Sequence, residues 1–235
     1  MFTGQDLIHK AEAHLKEQYH LGVLVPKNNP NWRGPWDCSE FASWCVFQVS
    51  HQLYGCENDS SAPDLAKAFT GFWQRDAQKL GQKITIQQAA GTPGAAVLRF
   101  PVPGGVGHIV FSDGSGGTIE AHSRNTGVIK GKLAGRRWDI GILVPDIEYQ
   151  MGTQTAGPIA APATIFRLTD PLMHGEVVRR IQTALEAKGF NPGEIDGTFG
   201  THTSAAVIAF QIDQGLAADG EVGTQTAAAL GISLA

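Results

Sequence analysis

The order of elements along the chain predicts an α+β protein with a small all-α domain appended. Three observations carry this expectation. Helix-patterned segments come first, short alternating β-branched segments follow, and a small-residue stretch then leads into an Ala-rich repeat. Residues 1–20 read as a polar amphipathic helix with Leu7, Ile8, Ala11 and Leu15 on one face. This segment lacks the apolar run of a secretory leader. A second helix is expected from Cys38, where Phe41, Cys45, Val49 and Leu53 recur at i, i+4 spacing behind Asp37 as N-cap, with Glu40 completing a capping-box-like pair. Ser61-Ala62-Pro63-Asp64 reads as the start of a third helix carrying Leu65, Phe69 and Phe72, closed by Gly81.

Strands are expected over 84–86, 95–100, 107–112, 118–123 and 138–144. Asp113-Gly114-Ser115-Gly116-Gly117 joins the third and fourth as a hairpin loop. Residues 149–166 are small, uncharged and dotted with Pro and Gly, as in a linker. The expected division is therefore 1–148, linker 149–166, and 167–235. In the last part, Gly175 to Leu185 is an amphipathic helix. Asp196-Gly197-Thr198-Phe199-Gly200-Thr201-His202-Thr203 then recurs as Asp219-Gly220-Glu221-Val222-Gly223-Thr224-Gln225-Thr226, each copy ahead of an Ala-rich helix. The glycines permit positive φ, and the hydroxyls are expected to cap the helices.

Composition excludes several classes. The chain has 235 residues, 42% of them apolar, and a net charge of −4. Residues 1–150 hold 14 Lys+Arg against 14 Asp+Glu, and the remainder 4 against 8, so no basic nucleic-acid footprint exists. No apolar run approaches the length of a membrane span. Three cysteines, all before residue 57, form no disulfide framework. The absence of closely spaced Cys/His pairs argues against zinc, and too few oxygen ligands recur around the Asp-Gly pairs for calcium. No metal or cofactor is expected.

The chemistry-bearing residue is Cys38. A thiol acts as a nucleophile only when ionised, and a helix N-terminus favours the thiolate. Taken alone, Cys38 fits a buried inert thiol as well. A nucleophile needs a base, and the base an orienter. If the hairpin is symmetric about Ser115, His108 and His122 face each other across the ladder, their Cβ atoms about 5 Å apart. One imidazole could then serve as base and the other as its orienter.

Asp37-Cys38-Ser39 at a helix start, Gly107-His108-Ile109 on one strand and Glu120-Ala121-His122-Ser123 on the next resemble the NlpC-type papain-like cell-wall peptidases. The resemblance covers about residues 1–147. It implies a papain-like fold, cleavage of peptidoglycan stem peptides between D-glutamate and a diamino acid, and catalysis by Cys38, His108 and His122. Glu40 replaces the family's small residue. The family's Tyr-x-x-Gly-Gly is not found a dozen residues before the cysteine, so Trp32 or Trp36 is expected to form that wall. Asp37, Ser39, Trp36 and Glu40 are the expected substrate contacts, with the N–H of Ser39 or Cys38 at the oxyanion. Ile181-Gln182, Ile195 to Gly200, Ala209-Phe210-Gln211 and Leu216 to Gly223 resemble the three-helix peptidoglycan-binding domain of wall hydrolases, over about 170–235.

Peptidoglycan is thus the expected partner, met at the cell wall or periplasm by a monomeric chain. Delivery by phage lysis, by a secretion system (with an immunity protein as further partner) or after loss of a signal all fit the sequence. A CHAP-like amidase and a non-enzymatic wall-binding protein are the alternatives.

Overall fold

The computed structural model describes residues 2–57, 61–80, 82–101, 106–152 and 164–235. They form two compact units, one from stretches 1–100, 107–134 and 138–159, the other from 101–106, 135–137 and 160–235.

In the first unit, β1 (Phe2–Thr3) leads into α1 (Gly4–Glu12), capped by a reciprocal Thr3–Asp6 box. The helix is shorter than the 1–20 expected, and turns follow it, with Lys16 at φ 72. α2 (Cys38–Ser50) starts at its Asp37 N-cap and stops at His51, which is left-handed, so Leu53 lies beyond it. The helix expected from Ser61 begins only at Thr70, as α3 (Thr70–Leu80). The intervening backbone is committed elsewhere: Ala66 O accepts from Lys27 Nζ, Ala68 N donates to Glu40 Oε1, and Phe69 N donates to Gly55 O. Long-range partners here outweigh the local helix signal. Gly81 lies outside the described residues.

β2 (Lys83–Ile84) is followed by α4 (Ile86–Ala90), which replaces the strand expected through Ile86 because Thr85 and Gln88 form a capping box. Then come β3 (Ala96–Arg99), β4 (His108–Ser112), β5 (Gly117–Ser123), β6 (Gly127–Lys132), β7 (Ile140–Ile142) and β8 (Ile147–Glu148). A six-stranded antiparallel sheet runs in the order β2-β7-β3-β4-β5-β6. β6 was not expected; only Val128 and Ile129 give it apolar character, and β5 supplies the rest of its reason to exist.

Alternation splits the sheet cleanly. Ala96, Leu98, Ile109, Phe111, Ile119 and Ala121 share the main core with Phe41, Ala42 and Cys45 of α2. Val97 and Val110 join Ala89, Ala90 and Leu133 in a smaller core. Each buried aliphatic or aromatic side chain contributes about 1.5–3 kcal/mol. The layout is α+β, with the cysteine helix laid on an antiparallel sheet.

The second unit holds α5 (Glu176–Ala187), α6 (Thr201–Asp213) and α7 (Thr224–Leu230) around Val178, Ile181, Leu185, Phe199, Val207, Phe210 and Leu230. The repeat seen in the sequence is built on two buried glutamines. Gln182 Oε1 accepts from Gly197 N, and its Nε2 donates to Asp196 Oδ1 and Thr203 Oγ1. Gln211 Oε1 accepts from Asp219 N and Gly220 N, and its Nε2 donates to Asp219 Oδ1 and Thr226 Oγ1. Gly197 and Gly220 take the expected positive φ, 78 and 71. The threonines do not cap their helices: Gly200 and Gly223 are the N-caps, without side-chain hydrogen bonds. Most of the linker expected at 149–166 lies outside the described residues.

Candidate active site

Cys38 is the first residue of α2 and is buried where that helix meets β4 and β5. Asp37 Oδ1 accepts from Glu40 N at 2.8 Å and from Ser39 Oγ at 3.2 Å, and Asp37 Oδ2 from Gly22 N at 3.2 Å. The sulfur is approached by the backbone N–H groups of Ile109 and Ser39. The recorded β4–β5 register covers Phe111↔Ile119 and Ser112↔Thr118, so Ile109 N–H meets the thiol beyond that ladder. The thiol is thereby set at the same end of β4 as His108.

The helix-terminus expectation for the thiol is overturned. Burial, and then the Asp37 carboxylate, push Cys38 up to about 12; the two N–H groups and the Arg99 guanidinium oppose this without cancelling it. Burial also pushes Asp37 up to about 6, the neighbouring Glu40 carboxylate adding to it.

His108 precedes Ile109 on β4, and its partner differs from the one expected. Extending the register of Phe111↔Ile119 sets His108 opposite His122, and the two rings lie 6.2 Å apart, edge to face. The group on His108 Nε2 is Glu120 Oε2, at 2.6 Å and buried. Glu120 Oε1 accepts from Thr118 Oγ1 at 2.6 Å, so both carboxylate oxygens are held. His122 Nδ1 instead meets Thr126 Oγ1 at 3.0 Å. The β5–β6 register shifts between Ala121 and Ser123, around His122. Trp138 packs against the His108 ring at 6.1 Å.

The remaining expected residues fall into other roles. Glu40 neither completes the capping box nor faces the thiol. Its carboxylate accepts from Val25 N, Ala68 N and Lys27 Nζ, and Lys27 also donates to Val25 O and Ala66 O. All three ammonium protons are thus satisfied in a fully buried pair that ties two loops to α2. Trp36 is fully buried, packed on His14, Phe41 and Trp44, and donates to Glu17 Oε2 at 2.6 Å, so it forms no substrate wall. Trp32 donates to Pro35 O and packs against the core. Asp37 is a cap, and the Ser39 side chain is turned to it.

Three residues were missed. Glu120 lies two positions before His122, on the same face by strand period. Tyr19, nineteen residues ahead of Cys38 in a Tyr-x-x-Gly run, pairs with Trp36 in a bridge; burial, Cys38 and Asp37 all push its phenol up, which sets it beside the thiol. Arg99 is a buried charge ending an apolar strand. Among the described residues, no three His, Cys, Asp or Glu side chains cluster to hold a metal ion, and no helix is long and apolar enough to cross a membrane.

Residues 174–230, within the second unit, match the family described as "Putative peptidoglycan binding domain". The chain is 42% identical over 85 residues to N-acetylmuramoyl-L-alanine amidase CwlL of Bacillus licheniformis, covering 34% of this chain and 23% of that protein. It is 36% identical over 129 residues to a second protein of that organism, named "Probable N-acetylmuramoyl-L-alanine amidase", covering 50% of this chain and 35% of the relative. The chain thus spans a quarter to a third of the length of these curated relatives. Among solved structures, the NlpC/p60 domain of peptidoglycan hydrolase SagA is similar at a TM-score of 0.42 and 20% identity, over 60% of this chain and 99% of that one.

Proposed function

We propose that the chain is a peptidoglycan hydrolase, a thiol endopeptidase whose C-terminal domain holds it on its polymer. The observation that carries this is the buried His108–Glu120 pair at 2.6 Å, at the end of β4 whose Ile109 N–H meets Cys38. With His108 Nε2–H donating to Glu120, Nδ1 is the basic nitrogen, and Glu120 steadies the imidazolium that forms. His108 takes the proton of Cys38 as the sulfur attacks the amide carbonyl. The tetrahedral oxyanion is met by backbone N–H at the start of α2, that of Ser39 or Cys38. Collapse transfers the proton to the departing amine and leaves a thioester, which water cleaves with His108 again as base. His122, edge to face with the His108 ring at 6.2 Å, leaves the orienting role to Glu120.

The bond favoured is the D-glutamyl–diamino acid amide, following the Asp-Cys-Ser and Gly-His-Ile resemblance. A second reading, cleavage between muramic acid and L-alanine, is favoured by the amidase names of the relatives. Mass spectrometry of fragments from digested sacculi decides between them: free diamino-acid amines support the first, free muramic-acid carboxyls the second. Cys38→Ala is expected to release nothing while still binding sacculi; undiminished lysis by that variant removes the thiol from the mechanism.

A further inference from the structure

A groove of about 530 Å³ opens on the second unit, between α5 and the chain that leaves α7. Its α5 wall carries Arg180, Thr183, Ala184 and Ala187, spaced i, i+3, i+4 and i+7 and so on one face of the helix. The opposite wall runs from Leu230 to Ser233 and is fixed by a closed helix end. There Gly231, left-handed at φ 77, donates its N–H to Ala228 O, and Ile232 donates to Ala227 O. The small residues Ala184, Ala187 and Gly231 keep the space between the walls open.

The two arginines of the groove differ. Arg179 Nη1 donates to Ile195 O and Nη2 to Asp196 O, and its Nε lies 3.6 Å from Glu176 Oε2, the acidic group of the lining. Arg180 is half-buried; its Nη2 donates to Ala235 O at 2.7 Å, while its Nε is buried and has no hydrogen-bond partner among the described residues. A donor left without an acceptor costs free energy that a ligand oxygen can restore. Charge points the same way. Residues 151–235 hold 8 Asp+Glu against 4 Lys+Arg, and three of those four, Arg179, Arg180 and Lys188, lie on α5 or at its C-cap. A neutral sugar hydroxyl gains little from that concentration of positive charge. A carboxylate gains a planar, charge-assisted partner.

We propose that this groove is where the C-terminal domain holds the wall, and that Arg180 takes a free carboxylate of a stem peptide there. The inference rests on the wall-binding reading and names its site and ligand chemistry: the domain grips the peptide rather than the sugar strand. It is independent of which bond Cys38 cuts.

The test uses the full chain carrying Cys38→Ala, so that the polymer stays intact, and sacculi freed of phosphate-bearing wall polymers. One batch is native; in the other, carbodiimide and methylamine convert the stem carboxylates to amides. The parent chain is expected to bind the native batch about ten- to a hundred-fold more tightly. Arg180→Gln should bind both batches with one weak affinity, and Arg180→Lys should keep part of the preference. Ala184→Leu, which fills the groove, should weaken binding to the native batch. Thermal melts establish that each variant is folded. Equal binding of the two batches by the parent chain overturns the proposal alone. So does Arg180→Gln weakening both by one factor, the mark of an arginine that only supports the fold. A parent chain that binds neither batch removes the wall-binding reading, and this site with it.

Discussion

Two positions on β5 separate Glu120, whose carboxylate binds His108, from His122, whose Nδ1 meets Thr126 Oγ1. Glu120 and His122 share a face by strand period, and the β5–β6 register shifts between Ala121 and Ser123. Glu120→Gln is therefore expected to lower kcat/KM by about 10²–10⁴-fold, since it no longer steadies the imidazolium. His122→Ala should cost at most several-fold; steady-state kinetics on a soluble peptide checks both. Gly107 is constrained by close approach. A Cβ there would stand 2.8 Å from the Arg99 carbonyl oxygen and collide with the Thr70 hydroxyl. Gly107→Ala is expected to displace His108, lowering activity more than thermal stability.

At the scale of elements, the start of α2 joins two opposing demands. Asp37 supplies the cap, but its charge sits in a buried site and raises the neighbouring thiol. Because the folded-state value, about 6, lies above the unfolded one, its contribution to stability is fully present below about pH 4 and is lost as pH rises through 6. Asp37→Asn keeps a good cap and should gain stability relative to wild type between pH 4 and 7, by about 3 kcal/mol. The same variant should bring the Cys38 thiol down, read as a shift of the alkylation-rate profile to lower pH; an unchanged profile would separate Asp37 from the thiol. Lys27–Glu40 is a second fixed point, where Lys27→Met leaves a buried carboxylate unpaired and is expected to destabilise by about 3–5 kcal/mol in chemical denaturation.

Each of the two units has its own core, so the proposed cleavage and the proposed wall binding should be lost separately. Replacing both Gln182 and Gln211 by Ala strips the hydrogen bonds that hold the two Asp-Gly turns, about 2–4 kcal/mol each. The double variant is expected to lose sacculus binding in a pull-down while cleaving a soluble peptide at the wild-type rate. Tethering raises the local concentration of polymer and leaves the chemistry unchanged.

Periodicity, turn composition and a cap residue determined from the sequence alone that Cys38 opens a helix, that 107–112 and 118–123 form a hairpin, and that an Asp-Gly-x-x-Gly-x-x-Thr repeat follows in the last part. These are local properties, set by spacing within one element. Tertiary structure alone decided what the side chains at those places meet. Burial raised a thiol that its helix position favours ionising, the hairpin brought the Glu120 carboxylate onto His108, and distant loops claimed Glu40 and the backbone of 61–69. Desolvation and long-range hydrogen bonds depend on partners tens of residues away, and no local pattern records them.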